Sequence, residues 1–414
     1  MTDLNILKKK YNQYRQEALN LDMTRGKPSA EQLDLSVDLI SVLGKSDFYN
    51  QSGFDCRNYS TPGLLSGLDE SKEIFAKALN VKDINNIIIG GNSSLALMHD
   101  TISWAMLHKL PGSKKSWSEQ GPIKFLTPVP GYDRHFGICE SLGIEMINIP
   151  LLGDGPDMGL IEKLVKDDNS IKGIWCVPKY SNPTGETYSD ETVCRLANLD
   201  TKANDFRVFW DNAYAVHDLH GNSDSLVDIF SLAGEEFKDC IFEYASTSKI
   251  TFAGAGISAV VSSENNIEWF LNIMKYKTIG YDKINQLRHV EFFKNHRSLE
   301  KQMQEHSDLL SPKFKKVAEI LTDILGDDET YASWSNPKGG YFIDFNTKPG
   351  LAKKVVKMSS EAGVKLTKAG ATFPYGIDPE DKNIRIAPSL PSLADIQKAV
   401  EILAVVTKIV TLEN

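Results

Sequence analysis

The chain is best understood from residues 244–258, Tyr-Ala-Ser-Thr-Ser-Lys-Ile-Thr-Phe-Ala-Gly-Ala-Gly-Ile-Ser. The apolar run 240–242 before them is typical of a buried strand, and it gives way to hydroxyl side chains, one lysine and glycines. Lys249 is poorly explained by packing, because burial of an unpaired ammonium group costs several kcal/mol or lowers its pKa. A lysine with a lowered pKa is a nucleophile of the kind that forms Schiff bases. The segment therefore predicts a reactive amine at the end of a strand.

Hydroxyl groups flank this lysine. Ser246 and Ser248, with the backbone amides that follow them, are suited to hold a phosphate close to the amine of Lys249. A phosphate beside a nucleophilic lysine indicates pyridoxal phosphate. Taken alone, Lys249 is more simply explained as a surface lysine that follows a strand. The choice between these interpretations depends on the rest of the chain.

The composition is typical of a globular protein of about two domains. Its 414 residues are too many for one small core, and 41% hydrophobic and 24% charged residues are ordinary values. The formal net charge of -9 argues against a surface that binds phosphate backbones. We therefore expect small-molecule partners and no nucleic acid.

The cysteines and the first residues indicate a cytoplasmic protein. The cysteines are odd in number and form no C-x-x-C pair, which is typical of reduced thiols rather than of disulfides or a zinc site. They are Cys56, Cys139, Cys176, Cys194 and Cys240. The first residues are charged and lack the apolar segment of a signal peptide, and no apolar run approaches the ~18 residues of a membrane-spanning helix. We expect a soluble protein with no bound metal and no membrane partner.

Strands alternate with helices over most of the chain. The runs 171–177, 208–210 and 241–242 are typical of buried strands, with helical stretches between them. This order predicts an α/β fold with a mostly parallel sheet, whose sites lie at the carboxyl ends of the strands. After about residue 300, a long helix and alternating segments indicate a smaller α+β domain that the N-terminal segment completes. The predicted boundaries are 1–50 for the N-terminal segment, 51–298 for the large cofactor-binding domain and 299–414 for the small domain.

Further motifs follow predicted strands. Residues 87–97 join a β-branched run, a glycine pair and small hydroxyl residues to a helical pattern, which creates a favourable place for an anion. Asn182, in Ser-Asn-Pro-Thr-Gly, can donate a hydrogen bond to an oxygen of a bound ring. Asp211 needs a cationic partner such as a pyridinium nitrogen, and Tyr214 can bond to the phenolic oxygen of the same ring. Taken alone, the first motif is equally explained by a plain strand-to-helix turn. The other two are better explained by an Asn-Pro turn and by a helix-capping carboxylate.

The order of these motifs is more informative than any one of them. Asn182, Asp211 and Lys249 follow successive strands, and in this combination the chain resembles the class I aminotransferases of fold type I, which use pyridoxal phosphate. The resemblance covers nearly the whole chain. Five shorter motifs are similar to the divergent bacterial branch that includes aspartate aminotransferases: Thr24-Arg-Gly-Lys-Pro, Tyr59-Ser-Thr-Pro-Gly, Gly90-Gly-Asn-Ser-Ser-Leu, Thr278-Ile-Gly and Gln286-Leu-Arg-His. The resemblance to this family implies a large domain with a mostly parallel seven-stranded sheet, a smaller α+β domain, and a homodimer that shares its active sites.

The resemblance also implies a role for each motif residue. Lys249 forms the Schiff base with the cofactor and moves the proton between the substrate Cα and the cofactor. Asp211 pairs with the pyridinium nitrogen, while Asn182 and Tyr214 bond to the ring oxygen. Tyr132 falls where the family stacks an aromatic side chain on the ring.

A phosphate site and a substrate site are implied in the same way. The expected phosphate ligands are Ser93, Ser94, Ser246, Ser248 and a Tyr59 that reaches in from a second subunit. Arg385 grips the substrate α-carboxylate, and Asn182, Arg25 and Gly26 complete the substrate site. The family usually has an arginine eight residues after the lysine, where this chain has Ile257. We hypothesise that hydroxyls, backbone amides and a lysine from elsewhere hold the phosphate instead.

The expected reaction transfers an amino group from L-aspartate or L-glutamate to 2-oxoglutarate. The candidate cations for the distal carboxylate, which the sequence does not rank, are Arg25, Lys27, Lys275, Lys277 and Arg288. Aromatic or aminoadipate donors, and β-elimination or decarboxylation, remain open alternatives, because the carbanion formed above Lys249 is common to all of these reactions.

Two other protein classes fit the sequence less well. Residues 254–259 match the dinucleotide fingerprint G-x-G-x-x-A, but no first βαβ unit is built around them. Regulators with an aminotransferase-like domain carry a DNA-binding winged helix before it, whereas here the aminotransferase pattern starts by about Arg25. An aminotransferase is therefore favoured over an oxidoreductase and over a regulator.

Overall fold

A computed structural model describes residues 3–45, 47–219 and 223–414 of the chain. Within these residues, the strands β1–β12 are Leu21–Asp22, Ile87–Gly90, Lys124–Val129, Glu145–Pro150, Ile171–Cys176, Arg207–Asp211, Ile241–Ser246, Ser258–Ser262, Ala332–Trp334, Ile343–Thr347, Val364–Lys365 and Asn383–Ile386. The helices α1–α14 are Asp3–Gln16, Ala30–Asp34, Asp69–Leu79, Ser94–Leu107, Asp133–Ser141, Met158–Asp167, Asp190–Leu196, Ile229–Leu232, Glu235–Lys238, Glu264–Met274, Lys283–Glu291, Leu299–Leu325, Ala352–Glu361 and Leu393–Leu412.

The large sheet has seven strands in the order β2-β8-β7-β6-β5-β3-β4. The neighbours from β7 to β4 pair in parallel, whereas β8 pairs antiparallel with both β7 and β2. Every residue of β5 and β6 is buried, as expected of central parallel strands that are covered on both faces. The predicted α/β fold with a mostly parallel seven-stranded sheet is confirmed.

Helices cover both faces of this sheet. Along β6, Val208 and Trp210 pack into one apolar layer, and Phe209 between them packs into the opposite layer. This alternation follows from the two-residue period of a strand. Capping side chains fix where the covering helices begin. At the start of α4, for example, the side chain of the N-cap residue Ser93 accepts a hydrogen bond from the backbone amide of Leu95. Both faces are thus closed, and the strand ends are the part of the sheet left for a site.

The C-terminal part of the chain builds a second sheet. Strands β12, β10 and β9 pair antiparallel in that order, and α12 and α14 contribute to the core cluster against them. The N-terminal segment joins this part, because β1 pairs with β11 and Tyr11 and Tyr14 of α1 belong to the same cluster. These contacts support the predicted boundaries near residues 50 and 298, which stay a prediction. None of the helices in the described ranges is both long and apolar enough to cross a bilayer.

Candidate active site

A cavity of about 710 Å³ lies where the ends of β5, β6 and β7 face the N-terminal loop and the C-terminal sheet. Nearly all of the predicted site residues line it. They are Arg25, Gly26, Ser93, Ser94, Tyr132, Asn182, Asp211, Tyr214, Ser246, Ser248, Lys249 and Arg385. The fold therefore brings together residues from distant parts of the sequence. Their individual roles stay predictions.

A second cavity, of about 800 Å³, borders the loop that follows Asn182. It is lined by Thr184, Glu186 and Asp344 among others, and none of its lining residues belongs to the predicted site. The smaller cavity is the better candidate, because the partly buried Lys249 lines it beside the buried carboxylate of Asp211 and the N-terminus of α4.

Lys249 lies in the turn that follows β7, with its Nζ 5.0 Å from the centre of the Tyr214 ring. Burial lowers the pKa of Lys249 below its ordinary value, and the carboxylate of Asp211 opposes this shift. A lowered pKa raises the fraction of neutral amine, the form that acts as a nucleophile and as a base. This environment favours the predicted reactive amine, whose role stays a prediction.

Asp211 is the last residue of β6 and is 3% exposed. Its Oδ2 lies 2.9 Å from Nε2 of His135, whose ring stacks on Trp175 with the ring centres 4.1 Å apart. Its Oδ1 is buried and has no hydrogen-bond partner among the described residues. An unpaired buried carboxylate oxygen is costly, by about 1–3 kcal/mol or more. Asp211 therefore fits a cationic group in the cavity, and a protonated pyridine nitrogen is such a group.

The two tyrosines of the cavity are neutral phenols. Burial raises the pKa of Tyr214 well above its ordinary value, and the nearby Tyr132 and Asp211 add to the rise. Burial likewise raises the pKa of Tyr132 to about 12. Both side chains can donate a hydrogen bond near neutral pH, and each offers an apolar ring face. The ring of Tyr132 also contacts the edge of His135, with the ring centres 4.9 Å apart.

Hydroxyl groups from two loops meet at the start of α4. The Oγ of Ser246 donates to the Oγ of Ser248 at 3.1 Å, and the Oγ of Ser248 donates to the carbonyl of Asn92 at 2.6 Å. Ser93 is the N-cap of α4, and its Oγ accepts from the amide of Leu95 at 3.2 Å. The 14-residue helix contributes its positive end and unpaired amides. This arrangement fits a phosphate group.

Ile257 is buried among apolar side chains and provides no charge. It packs in a cluster with Ile87, Ile89 and Ala259, on strands β2 and β8.

The cations that line the cavity are Arg25, Lys27, Arg134, Lys249, Lys368 and Arg385. Arg134 and Lys368 were not found by sequence reasoning, because only the folded chain brings α5 and the 366–368 segment to the cavity.

Three of the candidate cations for a distal carboxylate lie elsewhere. Lys275, Lys277 and Arg288 are absent from the described lining of the cavity. Lys277 pairs with Asp100, and Lys275 donates to Asn272 at 3.0 Å. Within a single chain, Arg25 and Lys27 are therefore the predicted cations that can reach a distal carboxylate in this cavity.

Arg385 on β12 is held in a defined orientation. Its Nη1 lies 3.0 Å from Oδ1 of Asp133 and 3.3 Å from Oδ1 of Asn182, and its guanidinium lies over the Phe342 ring at 4.7 Å. Its Nε is buried and has no partner among the described residues. Because both contacts use Nη1, the Nε edge is left for an anion. Asn182 accepts from Arg385 through Oδ1, so its Nδ2 is left to donate.

Tyr59 is the one predicted site residue that does not line the described cavity. Its side chain is 77% exposed. The loop that carries it contacts the loop around Gly280, where an added Cβ would lie 2.2 Å from Oγ of Ser60. The expected contact between Tyr59 and a phosphate is therefore not formed within the described cavity of one chain and stays a prediction.

His135 is a site residue that sequence reasoning missed. It lies 76 positions before Asp211, and burial leaves it 1% exposed. The available signal was its place three residues after Tyr132, in the first turn of α5. That spacing puts both rings on one side of the helix, but it does not indicate which strand they face.

Comparisons with known proteins agree with this geometry. The family model described as aspartate amino-transferase matches residues 2–414. A Mycolicibacterium smegmatis protein, named as an aminotransferase without a stated substrate, is 50% identical over 404 residues, which are 96% of this chain and 93% of that protein. The aspartate aminotransferase of Corynebacterium glutamicum is 42% identical over 398 residues, 95% of this chain and 90% of its own.

The fold comparison leads to the same family. The crystal structure of an aspartate transaminase from Corynebacterium glutamicum superposes with a TM-score of 0.94 at 41% identity, covering 99% of this chain and 96% of that one. The resemblance inferred from the strand-end motifs is confirmed. The chain belongs to the aspartate amino-transferase family, and it is an aminotransferase enzyme.

Proposed function

We propose that the enzyme transfers the amino group of L-aspartate or L-glutamate to a 2-oxo acid, with 2-oxoglutarate as the expected acceptor. The observation that carries this proposal is the unpaired Oδ1 of the buried Asp211 in the same cavity as Lys249. The name of the Corynebacterium glutamicum relative supports aspartate as the donor.

Pyridoxal phosphate is the cofactor that the family implies, and the residues of the cavity fit it. When bound, it carries the amino group between substrates and delocalises the electron pair left by the broken Cα–H bond. Asp211 would hold the proton on the ring nitrogen through Oδ1. Asn182 and Tyr214 would donate to the ring oxygen, and Tyr132 would cover the ring. The serines at positions 93, 94, 246 and 248 and the N-terminus of α4 would hold the phosphate.

Lys249 would move the proton. Its lowered pKa allows Nζ to be neutral when it takes the proton from the substrate Cα, and protonated when it returns the proton to the cofactor side. The neutral phenol of Tyr214, whose ring lies 5.0 Å from Nζ, adds no negative charge beside the ammonium form. The neighbouring Asp211 supplies the negative charge that limits how far the pKa falls.

Arg385 would bind the substrate α-carboxylate through its Nε edge, with Asn182 beside it. The loop that carries Arg25 and Lys27 closes the same cavity and would supply a cation for the distal carboxylate of an acidic donor. Gly26 is required within this loop, because a Cβ there would lie 2.5 Å from the Phe342 ring. Phe342 in turn supports the guanidinium of Arg385.

The donor can be tested with the twenty amino acids. The purified enzyme is loaded with pyridoxal phosphate, and each amino acid is mixed with it while the visible absorbance of the cofactor is followed. L-aspartate and L-glutamate should convert the absorbance fastest. Faster conversion by aromatic or aliphatic donors, with no response to either acid, would contradict the assignment and favour the alternative donors. Release of ammonia without a 2-oxo acid acceptor would instead indicate β-elimination.

We also propose a homodimer in the cytoplasm. Tyr59, Tyr276 and Ile279 are large apolar side chains with exposed fractions of 77%, 85% and 58%. Ser60 lies close to Gly280, so the loops that carry these side chains are neighbours and would present one apolar surface. A second copy of the chain would cover this surface and bring Tyr59 to the neighbouring phosphate. Free cysteines, three of them buried, support a reducing compartment.

A further inference from the structure

The turn that carries Lys249 is held by side chains that do not line the cavity. The carbonyl of Lys249 accepts a hydrogen bond from Oη of Tyr341 at 3.3 Å. The next carbonyl, of Ile250, accepts from Nε2 of Gln302 at 2.8 Å and lies 2.9 Å from Nε2 of His306. Two consecutive peptide groups are thus held by side-chain hydrogen bonds.

Gln32 connects these donors and determines the tautomer of His306. Its Nε2 lies 2.9 Å from both Nδ1 of His306 and Oη of Tyr341, and its Oε1 accepts from the amide of Ser29 at 3.1 Å. Since Oε1 is occupied by an N–H donor, Nε2 must point toward His306 as a donor. Nδ1 of His306 is therefore the acceptor, and the proton of the neutral ring is on Nε2, where it is donated to Ile250.

Gln302 is oriented in the same way. Its Nε2 also donates to Oγ of Ser36 at 2.9 Å, and its Oε1 accepts from Arg297 at 2.7 Å. Arg297 is itself held by Glu305 at 2.6 Å. Every donor and acceptor of the two glutamines therefore has a defined partner. Gln32, Gln302 and His306 are each at most 1% exposed, so water does not compete for these bonds.

The amine of Lys249 depends on this arrangement through its long side chain. The two fixed carbonyls set the direction of the Cα–Cβ bond, and a change of ~10° in that direction moves an Nζ about 6 Å away by about 1 Å. A displacement of about 1 Å at a reacting group costs up to about 100-fold in rate. Orientation of the backbone beneath Lys249 is therefore enough to affect proton transfer.

We propose that Gln32, Gln302, His306 and Tyr341 are positioning residues that fix the peptide groups of Lys249 and Ile250, and through them the reactive amine. The inference rests on the proposed role of Lys249. It adds a group of residues from α2, α12 and the segment just before β10 that act through the lysine backbone. Burial lowers the pKa of His306, with Arg297 lowering it further, which agrees with the neutral ring that the hydrogen bonds require.

The experiment compares His306→Leu with His306→Gln in the enzyme loaded with pyridoxal phosphate. The leucine variant removes the donor to Ile250, whereas the glutamine variant keeps an N–H donor in that position. We expect His306→Leu to lower kcat by about 10-fold to 100-fold with little change in KM, and to move the pH midpoint of the cofactor absorbance. His306→Gln should recover most of both values. Ser307→Ala, the next residue on α12, serves as the control and should match the wild type.

A measurement without cofactor checks the same inference. Hydrogen exchange of the 247–252 amides should quicken in the cofactor-free His306→Leu variant and stay unchanged in Ser307→Ala. If His306→Leu does not fold, Tyr341→Phe removes only the hydroxyl on Lys249 and should show the same pattern with a smaller loss of kcat. Variants that fold and keep the wild-type kcat, pH midpoint and exchange would overturn the inference. Failure of borohydride to fix the cofactor on Lys249 of the wild type would instead overturn the proposed function.

Discussion

His289 should make the enzyme less stable in mild acid. The side chain is fully buried on α11, where Nδ1 donates to the carbonyl of Asn285 at 2.8 Å. Nε2 accepts from the hydroxyls of Thr247 and Thr251, at 3.1 and 3.0 Å, which lie on either side of Lys249. Burial lowers the pKa of His289 from 6.5 to about 4, and the nearby Arg288 also lowers it. The folded protein therefore keeps this ring neutral while the unfolded chain takes up a proton.

The size and sign of the effect follow from this pKa difference. Above about pH 6.5 the ring is neutral in both the folded and the unfolded chain, so the free energy of unfolding has its full value. As the pH falls from 6.5 toward about 4, only the unfolded chain is protonated, and stability is lost progressively. The loss is about 2 kcal/mol by pH 5 and about 3 kcal/mol once the whole window has been crossed. For a chain of 414 residues, about 2 kcal/mol corresponds to about 2 °C in melting temperature.

The assay is a double difference, because other groups also titrate in this range. Melting temperatures are measured at pH 8 and pH 5, with the same excess of cofactor, for the wild type and for His289→Gln, which cannot take up a proton. The drop between the two pH values should be about 2 °C smaller in the variant. His99→Gln, at an exposed histidine, is the control and should follow the wild type. An equal drop in wild type and His289→Gln would refute the reasoning.

The site yields three other predictions. Asp211→Asn should retain the cofactor, because the phosphate site is unchanged, but should lower kcat by about 100-fold or more; steady-state rates near the wild-type value would exclude the proposed role. Gly26→Ala should raise KM for the amino acid by about 10-fold with a smaller effect on kcat, since the new Cβ would lie 2.5 Å from Phe342. An unchanged KM would show that the loop moves freely. Mixed dimers of Tyr59→Ala and Lys249→Ala chains should recover about a quarter of wild-type activity, as random exchange leaves one intact site in half of the dimers; no recovery would argue against a shared site.

The strand-end residues could be predicted because sheet topology brings them together. Asp211 and Lys249 follow neighbouring strands, β6 and β7, which pair in parallel, so both side chains arrive at the same edge. The same reasoning applies to Asn182, which follows β5. This prediction needs only the order of strands and helices, and the spacing of apolar residues in the sequence indicates that order.

The residues that hold this group in place could not be predicted in the same way. His135 contacts Asp211, and His306 contacts the carbonyl of Ile250 across 56 positions. Each lies on a helix whose spacing defines a buried face, but spacing does not identify the element that the face covers. Arg134 on α5 and Lys368 in a loop were missed for a related reason, since a charged residue that lines a cavity is indistinguishable in sequence from a solvated one. The proposed role of Tyr59 involves a second chain, so the fold of one chain does not test it.

Ile257 shows how packing and site chemistry constrain each other. It precedes β8, and it shares an apolar cluster with Ala259 and Val261, which follow at the two-residue spacing of one sheet face. Ile87 and Ile89 of the neighbouring β2 complete this cluster. An arginine whose side chain stayed in this environment would be a buried unpaired charge, which is destabilising by several kcal/mol. The apolar residue thus stabilises the edge of the sheet and supplies no charge for a phosphate. The hydroxyls, the N-terminus of α4 and the cations that line the cavity are the groups left to provide it.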